Sequence, residues 1–367
     1  MKREGLAGLV RDDLFTFDKL VFPHDKPVKA RLDANENPAW LDAERARQLG
    51  EVLAKVALNR YPDSEATALR TLIAGELGVA PQQLVFTTGS QELVVLLATT
   101  FSQPRDGAKR ARILYPVPGF IGYRLAAVTA GVDAVEVPLR PDFELDQPAL
   151  DRAFAERRPN VVFFGVPSNP SGVLWPREQL VRMIEAHRDV VFVSDEAYTA
   201  YCGVSLVDLL PAHPNLVVIR TLSKLCMAGV RVGYLVGSPD LTRHIERIRP
   251  SYTVGALNQA TAHWMLTAQR SWVDARVADT VAAREQLQRD LAALPGVRVV
   301  PSHTNFIVFR IGAPGDGRAV ALQRQLAERG VLVKAVAASG PHSDGVRTSV
   351  GAPDENAALL AALRELL

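Results

Sequence analysis

The segment TLSKLCMAGVRVGY, residues 221–234, sets Lys224 behind two hydroxyl residues, Thr221 and Ser223, and places Arg231 seven positions further on between valines. An amine in a largely apolar stretch can be desolvated into a nucleophile that condenses with a carbonyl, and an arginine offers a planar fork to phosphate or carboxylate. Taken alone, the stretch reads more readily as an ordinary strand end running into a helix, with both side chains in water, and the rest of the chain must overturn that. Three other stretches carry complementary groups. FTTGSQELVVLLATTF puts Ser90 and Gln91 at a helix start, where backbone N–H groups stabilise a phosphate, although a serine N-cap accounts for the same residues. FFGVPSNPSG fixes Asn169 among prolines in a turn beyond an apolar run, as an amide donor or as part of the turn itself. VVFVSDEAY delivers Asp195 straight after an apolar run, with Tyr198 three residues on. Desolvation opposes the Asp195 charge unless a cation or donors meet it, and a buried capping aspartate is the alternative.

The elements that must position these groups are legible from periodicity. LVFTT, RILYP, AVEVPL, NVVFFGV, DVVFVS, NLVVIRT and GYLVG are short β-rich runs between residues 84 and 240. SQELVVLLATTF, YRLAAVTAG, PALDRAFAERR and PREQLVRMIEAHR lie between them as crossover helices. The alternation predicts an α/β fold with a mostly parallel, doubly wound sheet, buried on both faces because several runs are apolar throughout. Ligands of such sheets bind beyond the carboxyl ends of the strands, where all the residues above fall. From about residue 262 the character changes: a helix over 269–294, the strands of VRVVPSHTNFIVFRI, a helix over 318–330, then VLVKAV, GVRTSVG and a terminal helix. We expect a large domain over 31–262 and a smaller α+β domain formed by 1–30 and 263–367, with the Gly/Pro/Asp stretch at 312–317 as a loop.

Composition narrows the function classes. The 367 residues are 48% apolar, enough for a large core, and 42 basic against 40 acidic residues leave no surplus to attract a polyanion. No nucleic-acid partner is expected, and no helix-turn-helix segment precedes the α/β region. No stretch approaches a membrane span and the N-terminus lacks a signal-peptide apolar region, so a soluble, unexported protein is expected. Two cysteines, Cys202 and Cys226, build neither a disulfide framework nor a zinc site, which suits a reducing cytoplasm. The seven histidines show no i, i+4 pair, and no metal site is expected.

Lined up, the strand ends offer a phosphate cradle (Ser90, Gln91, Thr221, Ser223, Arg231), an amide (Asn169), a carboxylate (Asp195), a phenol (Tyr198) and an amine (Lys224). Pyridoxal 5′-phosphate uses all of them: a phosphate, a ring nitrogen that works best protonated, a phenolic oxygen and an aldehyde that condenses with lysine. At this point the chain resembles the class I/II aminotransferases of pyridoxal-phosphate fold type I, and among them the histidinol-phosphate aminotransferases. The resemblance runs through LDANENP (32–38), NRYPD (59–63), TTGSQEL (87–93), PVPGFIGY (116–123), VPSNPSG (166–172), SDEAY (194–198), SKLCMAGVRVGY (223–234), SHTNFIVFR (302–310) and GVRTSVG (345–351). It implies that Lys224 binds the cofactor aldehyde and later carries a proton at the substrate Cα, that Asp195 keeps the pyridine nitrogen protonated, and that Asn169 and Tyr198 donate to the phenolic oxygen. It further implies that Phe120 stacks on the ring, that Ser90, Gln91, Ser223 and Arg231 hold the phosphate, and that Tyr61 reaches the phosphate of a neighbouring subunit in a homodimer. Arg347 matches the arginine that grips the substrate carboxylate, with Asn35 near the same end.

The departures from that pattern concern specificity. Lys334, in GVLVKAV, stands where histidinol-phosphate enzymes usually have an arginine that helps bind the substrate phosphate; a lysine keeps the charge and loses the fork. LVFPHDKP lacks the family's tyrosine before the proline, with His24 and Lys26 nearby, and SKLC replaces a frequent SKAF. The leading expectation is transamination between histidinol phosphate and 2-oxoglutarate in histidine biosynthesis. An aromatic amino acid aminotransferase, or a threonine-phosphate decarboxylase-like enzyme, is the alternative.

Overall fold

The computed structural model describes residues 9–16 and 28–367, so the expectations attached to His24, Lys26 and LVFPHDKP lie outside the described residues. In chain order, β1 (Ala30–Arg31), α1 (Ala43–Leu53) and α2 (Thr67–Leu77) lead to β2 (Leu84–Thr87) and α3 (Ser90–Thr100). There follow β3 (Arg112–Val117), α4 (Ile121–Ala130), β4 (Asp133–Pro138), α5 (Gln147–Arg157), β5 (Val161–Gly165), α6 (Arg177–Ala186), β6 (Val191–Asp195), β7 (Leu216–Thr221) and β8 (Gly233–Gly237). Then come α7 (Pro239–Glu246), α8 (Ala256–Leu266), α9 (Arg270–Ala292), β9 (Val297–Val300), β10 (Phe306–Ile311), α10 (Arg318–Glu328), β11 (Val331–Leu332), β12 (Lys334–Ala335), β13 (Gly345–Ser349) and α11 (Pro353–Leu366).

Seven strands form one sheet in the order β2-β8-β7-β6-β5-β3-β4, and each of the seven predicted runs supplies one of them. β8 pairs antiparallel with both neighbours, while the pairs from β7 through β4 are parallel, which is the α/β architecture expected. The strands are apolar throughout because both faces are covered: Val162, Phe164, Phe192, Val218 and Val236 pack into one layer. Their alternates Val161, Phe163, Val193, Val217 and Leu235 pack into the other. Edge strand β4 instead alternates buried and exposed positions.

A separate apolar cluster joins Ala30 and Leu32 to Leu287, Phe309, Leu326, Val346 and Leu363 around the four-stranded sheet β12-β13-β10-β9. The start of α9 packs with the main core through Val273 and its later turns with this second cluster through Leu287 and Leu291, so α9 spans the two. The segment VLVKAV is divided between two pairings. Val331 and Leu332 pair in parallel with β1, whereas Lys334 and Ala335 pair antiparallel with β13, the buried Val333 lying between. The division turns Lys334 toward the cavity described below. Among the described residues no helix is long and apolar enough to cross a membrane.

Candidate active site

Parallel strands joined by crossovers of one hand bring their carboxyl ends to one edge of the sheet. There a cavity of about 510 Å³ is lined by Asn35, Ser90, Gln91, Phe120, Asn169, Asp195, Tyr198, Thr221, Ser223, Lys224, Arg231, Lys334 and Arg347. Every candidate residue therefore converges on it except Tyr61. That side chain is 80% exposed and stacks on Tyr252 with ring centroids 4.5 Å apart.

Lys224 closes the 3₁₀ turn Leu222–Lys224 that follows β7, and the Tyr201 hydroxyl donates to its backbone carbonyl. Its Nζ donates to the Ala34 carbonyl at 3.1 Å. Burial, followed by the Arg347 charge, lowers its pKa to about 8, so a useful fraction of the amine is unprotonated near neutral pH. Asp195, the last residue of β6, is buried and pushed up to about 6 by desolvation. It accepts hydrogen bonds from the Tyr123 hydroxyl at 2.9 Å and from the Ala197 amide at 3.2 Å, and both favour the carboxylate. A cation opposite this carboxylate would relieve the remaining cost of burying it.

One end of the cavity is an anion cradle. Gly89, with φ +79°, occupies the α3 N-cap without a side-chain cap, so the serine-cap alternative does not apply and Ser90 begins the helix. A Cβ on Gly89 would lie 2.5 Å from an Arg231 guanidinium nitrogen, and one on Gly233 would collide with the Ser90 amide. The two glycines thus let Arg231 and the helix start approach each other. Arg231 donates to Ser223 Oγ at 3.1 Å, and Thr221 Oγ1 donates to the same oxygen at 2.9 Å.

At the other end Arg347 Nη1 donates to Asn169 Oδ1 at 2.9 Å and Nη2 to the Asp33 carbonyl at 2.7 Å. Its Nε is buried without a partner, a donor that an incoming anion would satisfy. Lys334 faces Arg347 across the β12–β13 pair, and burial followed by the Arg347 charge lowers its pKa. Between the two ends the Tyr198 hydroxyl accepts from Asn35 Nδ2 at 3.0 Å and Asn169 Nδ2 at 3.3 Å, and burial raises its pKa to about 12. Phe120, at the α4 N-terminus, meets Tyr123 edge to face at 5.5 Å. Sequence reasoning missed Tyr123, Tyr201 and Asp33. Tyr123 follows Phe120 by three residues on a helix, a spacing that puts both on one face and could have flagged it.

These donors fit pyridoxal 5′-phosphate: an anion cradle at a helix start, a buried carboxylate that needs a cation, and a partly neutral amine between them. The comparisons agree. The pattern of the family described as aminotransferase class I and II matches residues 28–363. The chain is 40% identical over 358 residues to histidinol-phosphate aminotransferase 1 of Burkholderia lata, covering 97% of each chain. It is 41% identical over 358 residues to histidinol-phosphate aminotransferase 2 of Burkholderia pseudomallei, again covering 97% of each. The crystal structure of histidinol-phosphate aminotransferase from Sinorhizobium meliloti in complex with pyridoxal-5′-phosphate superposes with a TM-score of 0.85 at 24% identity, over 97% of both chains. A lysine, a buried aspartate and two anion-binding ends gathered in one cavity are what such a family requires, and this chain belongs to the class I and II aminotransferases.

Proposed function

We propose that the chain, with pyridoxal 5′-phosphate in the cavity, transfers the amino group between L-histidinol phosphate and 2-oxoglutarate. The observation that carries the choice of substrate is the pair of anion sites flanking Lys224. One, at Ser90, Gln91, Ser223 and Arg231, suits the cofactor phosphate. The other presents Lys334 and Arg347 side by side. In histidinol phosphate a phosphate ester stands where glutamate carries its α-carboxylate, and two cations match a group of charge near −2. The identity of about 40% to relatives named for this activity points the same way.

When bound, the cofactor supplies an aldehyde and an electron-withdrawing ring that stabilises negative charge at the substrate Cα. Lys224 would hold the cofactor through its aldehyde and, once the substrate amine has taken that place, would be the group that carries the proton at Cα. Its pKa of about 8 suits it to both roles. Asp195, which accepts from Tyr123, would be the anion that keeps a proton on the ring nitrogen. Tyr198 and Asn169 would donate to the phenolic oxygen and Phe120 would cover the ring. Arg347 exchanges its contacts with Asn169 and Asp33 for the substrate anion, and Asn35 fixes Tyr198 from that side.

The same reading places the enzyme in the cytoplasm as a homodimer, with the exposed Tyr61–Tyr252 pair against the neighbouring subunit. It divides each subunit into 31–262 and 1–30 with 263–367. The test is rapid mixing of cofactor-loaded protein with L-histidinol phosphate, glutamate, phenylalanine and threonine phosphate separately, following the visible band of the bound cofactor. Loss of the band with histidinol phosphate and with glutamate supports the proposal. Loss with phenylalanine and not with histidinol phosphate refutes it and assigns aromatic transamination, as Lys334 without a fork would permit. Carbon dioxide released from threonine phosphate assigns decarboxylation.

A further inference from the structure

β12 and β13 present Lys334 and Arg347 to the cavity, and the loop 336–344 joins them. The far end of that loop is fastened to the main sheet's side of the molecule by a cluster the chemistry above does not use. Phe143, between β4 and α5, is fully buried with φ +65°, a strained conformation for a bulky residue. Its backbone is held there by Phe143 N–H donating to Arg140 O at 2.8 Å and by Trp175 Nε1 donating to Phe143 O at 2.9 Å. Two groups pack on the ring: His342 stacks on it with centroids 4.2 Å apart, and the Arg310 guanidinium lies 4.6 Å from its centroid. Arg310 also donates to the Pro141 carbonyl and, at 3.3 Å, to Asp344, the residue immediately before β13.

We propose that Phe143, His342 and Arg310 form a clasp that positions the Lys334–Arg347 strand pair for substrate, with His342 as its positioning residue. The proposal rests on the reading of those two cations as the substrate-anion site. The hydrogen-bonding roles are fixed by chemistry. Arg310 can only donate, so His342 Nδ1, 3.3 Å away, accepts and the ring proton sits on Nε2, which faces the Leu139 carbonyl at 3.5 Å. The clasp therefore needs the neutral imidazole. Protonation would set a second cation against Arg310 and leave Nδ1 with a proton where it accepts one. The carboxylates facing the ring are already engaged: Asp344 lies between Arg298 and Arg310, and Asp142 pairs with Arg140. Burial, with Arg310 adding to it, holds His342 below the ordinary imidazole pKa. The neutral clasp is thus complete above about pH 6.5 and is lost as the pH falls through the lowered value.

The experiment uses the cofactor-loaded enzyme and three variants, His342→Ala, His342→Gln and Arg347→Ala. The readouts are KM and kcat for glutamate from pH 5 to 8 and amide hydrogen exchange of the peptide covering 336–345. His342→Ala is expected to raise KM roughly fivefold or more with kcat within about twofold, and to speed exchange in that peptide while the cofactor band stays unchanged. Glutamine, which offers a donor and an acceptor and does not titrate, is expected to restore KM and exchange and to remove the part of the acid rise in KM that the wild type shows. A purely structural role would lower the melting temperature and leave KM alone. An unchanged KM in His342→Ala beside a raised KM in Arg347→Ala overturns the clasp, as does a glutamine variant no better than alanine. An unchanged KM in Arg347→Ala refutes the substrate-anion site instead, and the clasp with it, because it then positions nothing the substrate touches.

Discussion

Asp195 is a carboxylate held in a place that disfavours its charge, and replacing it by asparagine isolates the cost. Its pKa moves from 3.8 to about 6, chiefly by desolvation. At about 1.4 kcal/mol per tenfold change in proton affinity, the displacement is worth about 3 kcal/mol. The folded pKa is raised, so the advantage of the neutral acid is complete below the unfolded value and is lost as the pH rises through 6. Asparagine imitates the neutral acid. Its oxygen can accept from Ala197, and its amide can donate to the Tyr123 hydroxyl that now donates to the carboxylate. Cofactor-free Asp195→Asn should therefore be about 3 kcal/mol more stable than cofactor-free wild type at pH 8 and nearly equal to it at pH 4. Urea unfolding at one fixed protein concentration measures this, since any subunit association would otherwise move the midpoint. With cofactor the order should reverse: the variant has no anion for the protonated ring nitrogen, and turnover should fall by a factor on the order of 10² or more. A gain under about 1 kcal/mol at pH 8, or an equal gain at pH 4, would refute the claim that burial of this charge is the strain the cofactor relieves.

Three further outcomes follow from the same geometry. Lys224→Ala removes the amine and should leave neither turnover nor the visible band of covalently bound cofactor, although phosphate contacts from Ser223 and Arg231 persist; an active variant would sink the assignment. Lys334→Arg restores a fork opposite Arg347, and one additional net hydrogen bond of about 1 kcal/mol should lower KM for histidinol phosphate about fivefold without a comparable change for phenylalanine, as steady-state kinetics would show. Gly89→Ala puts a methyl group against the Arg231 guanidinium and displaces it from the anion cradle, so equilibrium dialysis should find cofactor affinity at least about tenfold weaker, with the fold retained by circular dichroism.

The sequence by itself determined the sheet and the edge at which chemistry gathers. Runs such as NVVFFGV must be buried on both faces, the segments between them are long enough only for crossovers, and one crossover hand brings Asn169, Asp195 and Lys224 to the same side. Hence the groups at the strand ends could be named from the order of their residue types. Tertiary structure alone decided which of those groups touch. Tyr123 reaches Asp195 across 72 residues, Arg347 reaches Asn169 across 178, and Asn35 meets Tyr198 across 163. Such contacts have no periodicity to betray them, since they depend on side-chain reach and on how one sheet leans against another. The same reason hid the break in VLVKAV, where β1 and β13 compete for successive residues, and the Phe143–His342 stack. Tyr61 marks the opposite case: its place in the pattern is plain from NRYPD, yet within one chain its ring is exposed and stacks on Tyr252, away from the cavity, and the proposed dimer is what would give it a role.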